Sequence, residues 1–221
     1  MQQYVIVGPT GAGCLFVSPV FCAMVDLLDI DDVVISDKAD CHDSGVGVWQ
    51  GSSNMQYYDE RFHQADDIKV ASVIMTHSNN IAHVRESFKE HAIVGLFADP
   101  TQYKLIATLK TMKQHTLTWN KEIYASIKGD GWPPYSKNNI MDSKMIRGEL
   151  IEYHNINETA AWYDTLGSQQ LDFVINVQSV FGIDDDLVGD VERICGKKVC
   201  QSVHTFISRY QRINKEIYGI T

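Results

Sequence analysis

A glycine-rich segment near the start of the chain has the composition of an anion-binding loop. The apolar run YVIV at residues 4–7 is followed by GPTGAG and then by a largely apolar stretch. A strand, a glycine turn and a helix start bring backbone N–H groups to one point, where the helix dipole adds partial positive charge. The residues that would line this loop are Gly8, Thr10, Gly11, Ala12, Gly13 and Cys14. The segment predicts a phosphate-binding loop; the alternative is a turn that joins strand to helix and binds nothing.

The loop differs from the usual nucleoside triphosphate loop in the residues that end it. That loop, GxxxxGK[ST], adds a lysine for the outer phosphates and a hydroxyl for magnesium. Gly8 and Gly13 have the required spacing, but Cys14 and Leu15 follow them. Hydrolysis of ATP or GTP and kinase activity are therefore disfavoured.

Two further candidates follow predicted strands. His77 comes directly after VASVIMT at residues 70–76, and Asp99 with Pro100 comes shortly after AIVGLF at residues 92–97. Functional groups of α/β sheets lie at the carboxyl ends of the strands. A histidine there can accept a proton near neutral pH; the alternative is a loop histidine with a local hydrogen bond. Asp99 and Pro100 suit the N-cap and first position of a helix.

The elements that would position these residues alternate between strands and helices. Strands are predicted at residues 4–7, 32–36, 70–76, 92–97 and 171–177, and helices at 14–28, 81–90, 99–115, 141–166, 184–195 and 201–218. Residues 37–67 are predicted as loops with a hairpin. This alternation indicates an α/β fold, a three-layer parallel sheet flanked by helices. We expect a single domain over residues 1–221 with a helical insertion at residues 116–166.

Four segments in this order resemble the cytosolic sulfotransferases. They are the glycine loop, MTHSNN after the third strand, LFADPTQYKLIATLKTMK after the fourth, and DFVINVQSVFG with the later VHTFISRYQRINKEIYG. The resemblance spans residues 4–114 and 171–218. It implies a P-loop NTPase-like, sulfotransferase-type fold. It also implies transfer of a sulfuryl group from 3′-phosphoadenosine 5′-phosphosulfate to a hydroxyl or amine of a small molecule, without a metal.

The resemblance assigns roles residue by residue. His77 falls on the general base, and the residues 8–14 fall on the loop that binds the 5′-phosphosulfate. Asp99 matches the second motif, where Ala98 replaces the arginine that binds the 3′-phosphate. Ile106 replaces a serine, for which Thr108 or Lys110 would substitute.

The lost phosphate ligands leave a second function open. A catalytically inactive protein of this fold would serve as a structural or interaction component, for example of a phage particle. Basic side chains near the phosphates would favour the enzyme. The candidates are Lys38, Lys104, Lys110 and Arg147.

Composition narrows the partners and the compartment. The formal net charge of −9 over 221 residues argues against general nucleic-acid binding. The 5 cysteines lack a CxxC pair, which indicates reduced thiols and a cytoplasmic protein, or else a virion component. No membrane partner is expected, because no apolar segment approaches the roughly 20 residues of a span. Cys41 and His42 are read as part of a polar loop, with no metal site. The oligomeric state stays open.

An aromatic segment, an apolar helical stripe and two histidines give three further predictions. The aromatic segment at residues 119–135 is predicted to be a satellite core or, as a second choice, the acceptor side of the site. Phe206 and Tyr210 begin a helical stripe that should dock on the core. His83 and His91 are predicted to lie at the surface.

Overall fold

The computed structural model describes residues 2–9, 11–27, 29–30, 45–49, 55–59, 72–107, 153–167, 169–183 and 186–218. The strands are β1 (Gln3–Val7), β2 (Gly45–Trp49), β3 (Met55–Asp59), β4 (Val73–Thr76), β5 (His91–Phe97) and β6 (Phe173–Asn176). The helices are α1 (Cys14–Met24), α2 (Ile81–Ser87), α3 (Tyr153–Gly167), α4 (Val177–Phe181), α5 (Leu187–Cys195) and α6 (Gln201–Tyr218). A 3₁₀ turn, Pro100–Gln102, follows β5 and leads into helical residues 103–107.

The centre of the fold is a sheet with strand order β3-β2-β4-β1-β5-β6. The four strands β4, β1, β5 and β6 are parallel, as predicted. They come from short apolar runs, and the buried runs of β1 and β4 are typical of parallel strands covered on both faces. The strand predicted at residues 32–36 lies outside the described residues.

A pair of antiparallel strands extends the sheet beyond β4. β2 pairs antiparallel with both β3 and β4. The hairpin predicted within residues 37–67 is thereby confirmed, while the purely parallel sheet that the sequence predicted becomes a mixed one. The antiparallel pairing of β2 and β3 has a local reason. A short connection can join antiparallel strands, whereas parallel strands need a crossover of about a dozen residues or more.

Helices lie on both faces of the sheet. On one face, the ring of Tyr4 contacts Phe21 of α1 at 5.0 Å and its hydroxyl donates to the Ile194 carbonyl of α5. Tyr4 pairs with Ala92, and side chains alternate along a strand, so Phe97 points to the opposite face. There it contacts Tyr163 of α3 at 6.0 Å. The three-layer arrangement is therefore present.

The C-terminal helix packs on the first helix. Phe206 and Tyr210 of α6 stack on Phe16 of α1, with ring centroids 5.3 Å and 3.5 Å apart. The predicted docking of α6 through this stripe is confirmed for these two residues. The contact covers the first turn of α1, directly after the glycine loop.

The direction in which strands are added to the sheet reverses beside β1. The chain passes from β1 to the antiparallel hairpin and β4 on one side, and then to β5 on the other. Such a reversal separates the connections at the carboxyl ends of neighbouring strands, and α/β sheets bind ligands there. The glycine loop begins at this end of β1.

Candidate functional site

The glycine loop is anchored at both ends by backbone hydrogen bonds. The N–H of Gly8 donates to the Thr76 carbonyl at 3.3 Å, and the N–H of Ala12 donates to the Pro9 carbonyl at 3.0 Å. Gly11 and Gly13 have φ angles of 94° and 93°, a conformation that disfavours residues with a Cβ atom. Gly13 is the N-cap of α1. Thr10 lies outside the described residues.

Close packing explains why two of these positions are glycine. A Cβ atom at Gly8 would lie 2.7 Å from the Cys14 sulfur and 3.1 Å from the Leu96 Cβ. A Cβ atom at Gly13 would lie 2.7 Å from Cγ1 of Val180 in α4. The loop therefore packs against α1 and β5 at Gly8 and against α4 at Gly13, and neither position has room for a larger side chain.

Cys14 turns toward the protein interior. It is the first residue of α1, its side chain is 2% exposed, and its sulfur lies against Gly8. Ala12 is 0% exposed. These two side chains therefore offer no group to a ligand. The N–H groups of Phe16 and Val17 donate to the Gly13 carbonyl at 2.9 Å, so the backbone groups that the loop can offer to an anion precede Phe16.

His77 lies against the first residue of the glycine loop. The distance from its Nδ1 to the Gly8 carbonyl oxygen is 2.7 Å, and its side chain is 8% exposed. A carbonyl oxygen can only accept, so Nδ1 carries a proton, and Nε2 is itself buried. The structure thus brings together two of the predicted residues, which are 69 positions apart in the chain.

Helix α3 holds the segment that contains His77. The indole Nε1–H of Trp162 donates to the His77 carbonyl at 2.9 Å. Just beyond the helix, Gln169 donates to the Asn79 carbonyl at 2.7 Å and accepts from the Ile81 N–H at 2.7 Å. Sequence reasoning missed both residues. The adjacent aromatics in AAWYDTLG, inside a predicted helix, were the available signal.

Tyr163, next to Trp162, bonds the end of β5. Its hydroxyl donates to the Leu96 carbonyl at 3.1 Å, and its ring stacks on Tyr103 at 5.3 Å. Burial, and secondarily the nearby Cys14, raises the pKa of the Tyr163 phenol well above its usual value. The phenol therefore stays protonated near neutral pH and serves as a hydrogen-bond donor.

Asp99 caps the turn after β5. Its carboxylate accepts from the Thr101 N–H at 3.0 Å and from the Thr101 hydroxyl, while Gln102 accepts from the Asp99 N–H at 3.3 Å. The predicted N-cap with Pro100 at the first position is confirmed. Thr76 is also engaged locally, since its hydroxyl accepts from the Ser78 N–H at 3.1 Å.

Most of the remaining predicted site residues lie outside the described part of the chain. Lys104 is exposed on the helical residues that follow β5. The predicted residues that lie outside the described part of the chain are Thr10, Lys38, Thr108, Lys110, Arg147 and the segment 119–135.

Among the described residues, no group of three or more histidine, cysteine, aspartate or glutamate residues is arranged to hold a metal ion. None of the helices placed by the structure combines the length and apolar character needed to span a bilayer.

Comparison of the chain with models of protein families, with curated proteins and with solved structures finds no match.

Proposed function

We propose that the protein binds 3′-phosphoadenosine 5′-phosphosulfate at the 8–14 loop and transfers its sulfuryl group to a hydroxyl or amine of a small molecule. His77 is the general base. The observation that carries the proposal is the 2.7 Å bond between Nδ1 of His77 and the Gly8 carbonyl, which sets a proton acceptor beside the candidate phosphate loop. The order of sequence motifs that resembles the sulfotransferases supports the choice of reaction.

The residues of the site fit the requirements of this chemistry. The nucleotide, when bound, supplies the sulfuryl group and carries the negative charge that develops on the leaving phosphate. The amino end of α1 stabilises negative charge. Nε2 of His77 is buried in this structure, so in this proposal it accepts the acceptor's proton only after binding exposes it. The Nδ1–H bond to Gly8 becomes charge-assisted when the ring is protonated.

The affinity should be modest for such a nucleotide. Cys14 faces inward, and the buried Ala98 stands where the related pattern has an arginine. A hydrogen bond to a charged group contributes about 1.5–3 kcal/mol, and about 1.4 kcal/mol corresponds to tenfold in affinity. We therefore expect binding in the micromolar range, supported mainly by backbone N–H groups.

A second candidate function is a non-catalytic one, in which the same fold serves as a structural or interaction component. The observation that favours it is the burial of the His77 ring, 8% exposed, together with its bond to the loop. In this alternative His77 stabilises the loop and transfers no proton.

A turnover assay separates the two functions. Sulfuryl transfer to a panel of hydroxyl and amine acceptors would be measured for the wild type, His77→Ala and a control, His83→Ala, on the exposed side of α2. The enzyme predicts turnover in the wild type and control, and a loss of about 100-fold or more in His77→Ala. Bound nucleotide without turnover of any acceptor would favour the non-catalytic function.

A further inference from the structure

The segment after β4 is fixed from outside the sheet. Pairing of β4 with β1 ends at Thr76, so the next carbonyl, that of His77, lies beyond the ladder. Three hydrogen bonds then hold residues 77–81: Trp162 donates to the His77 carbonyl at 2.9 Å, and Gln169 donates to the Asn79 carbonyl and accepts from the Ile81 N–H, both at 2.7 Å. The placement of His77 therefore depends on α3 as well as on its own strand.

His77 is held at two points. Its ring nitrogen Nδ1 bonds the Gly8 carbonyl, and its own carbonyl accepts the Trp162 indole N–H. With the main chain and one ring nitrogen both fixed, few side-chain rotations remain, and the direction of Nε2 is set. A loss of the indole bond would release the main-chain end of this arrangement.

Trp162 is itself well held. Its ring meets Tyr163 edge to face, with centroids 5.1 Å apart and planes at 80°. Tyr163 is buried and stacked on Tyr103, and a phenylalanine at this position would keep both ring contacts. A rigid indole is a donor only, so it suits a single carbonyl acceptor.

We propose that Trp162 is a positioning residue for His77: its indole N–H fixes the His77 carbonyl and thereby the orientation of the ring and of its buried Nε2. Its catalytic consequence rests on the proposed sulfuryl transfer. The orientation of the His77 ring can be measured without a turnover assay. The positioning role of Trp162 and the proposed sulfuryl transfer can therefore be refuted independently.

The chain offers a matched pair of variants. Trp162→Phe and Tyr163→Phe each remove one donor from α3 to a carbonyl at the end of a strand. Only the first of these carbonyls belongs to His77. A general effect of weakening α3 would appear in both variants, whereas a positioning effect appears in Trp162→Phe alone.

The direct readout is the nitrogen NMR spectrum of the histidine rings, with the His77 signals assigned by their loss in His77→Ala. We expect the wild type to show the tautomer protonated at Nδ1. Trp162→Phe should shift both ring nitrogens and lower the fraction of that tautomer, and Tyr163→Phe should leave them in place. In turnover, Trp162→Phe should lower kcat about three- to tenfold, the value of one hydrogen bond, with the nucleotide KM within about twofold.

The NMR spectrum tests the positioning role of Trp162, and the turnover assay tests the proposed enzyme activity. An unchanged His77 spectrum in folded Trp162→Phe overturns the positioning role, as does an equal shift in Tyr163→Phe. A shifted ring in a protein that turns over no acceptor supports the positioning and contradicts the enzyme. If Trp162→Phe does not fold, proton exchange of the wild-type indoles decides: a Trp162 N–H that exchanges as fast as an exposed indole overturns the inference.

Discussion

The bond between His77 and Gly8 should contribute to stability whether or not the protein is an enzyme. Truncating the ring leaves the Gly8 carbonyl without this donor in a buried position. His77→Ala should therefore lower the free energy of unfolding in urea by about 1–3 kcal/mol. The control His83→Ala, on an exposed position of α2, should stay within about 0.5 kcal/mol of the wild type. Equal losses in the two variants would show that the His77 bond is not a stabilising contact.

The described thiols should differ in reactivity. The pKa of the exposed Cys200 thiol is lowered, mainly by a hydrogen bond with Ser202 and to a smaller extent by one with the backbone N–H of Val203. Burial raises the pKa of the Cys195 thiol to about 11. The thiolate is the reactive form, so Cys200 should become reactive at lower pH than an ordinary cysteine, and Cys195 at higher pH.

Alkylation with iodoacetamide near pH 7, followed by peptide mass mapping, checks this order. Cys200 should be modified before Cys195 and before the buried Cys14 and Cys22. A Cys200→Ser variant is the control for peptide assignment. Faster modification of Cys14 than of Cys200 would mean that the glycine loop opens readily.

Prediction at the residue scale succeeded where a residue's role follows from its neighbours in sequence. Asp99 was found as a cap because Pro100 follows it, and His83 is exposed as predicted. His91 was predicted at the surface and is buried, 4% exposed, because β5 starts one residue earlier and His91 contacts Phe88. The contact of Trp162 with His77 spans 85 positions, which no local pattern reveals.

At the scale of elements, the start of α1 depends on Gly13. Its φ of 93° and the 2.7 Å approach of Val180 to an added Cβ both oppose a side chain there. Gly13→Ala should lower the free energy of unfolding by about 1–3 kcal/mol, from backbone strain and the displacement of α4. The same change should weaken nucleotide binding, because it moves the first turn of α1.

Gly167→Ala is the matched control. An added Cβ at Gly167, the last residue of α3, meets no atom within 4 Å. Alanine is a better helix former than glycine, so this variant should be neutral or more stable by up to about 1 kcal/mol. Thermal and urea denaturation of both variants measure the difference. Equal stability of the two variants would contradict the close packing of the loop.

The parallel strands and the last helix were predictable as elements because each carries a continuous apolar run or stripe. α1 runs from Cys14 to Met24 through Pro19, within the helix predicted at residues 14–28. Proline removes one helical hydrogen bond, but burial against the sheet and α6 supplies most of the stability of such a helix. The addition of the β2–β3 pair to the parallel sheet was not predictable, because strand pairing is a property of the assembled sheet.

At the scale of the whole molecule, the carboxyl edge of the sheet is organised by α3. The helix contacts the ends of β4 and β5 through Trp162 and Tyr163, while α1 begins beside them at Cys14. Residues 116–166 were predicted to be a helical insertion added to the core. The last part of that segment, in α3, donates the hydrogen bonds of Trp162 and Tyr163 to the candidate site. These contacts depend on how the chain packs and not on local sequence.

Calorimetric titration with 3′-phosphoadenosine 5′-phosphate tests the central claim most directly. At moderate salt, the wild type and Gly167→Ala should bind with Kd in the micromolar range, and Gly13→Ala should bind at least about tenfold more weakly, a loss of about 1.4 kcal/mol. Binding with this pattern would establish that the glycine loop holds the nucleotide through its backbone. Absence of both heat and thermal stabilisation at millimolar nucleotide would contradict the proposed enzyme.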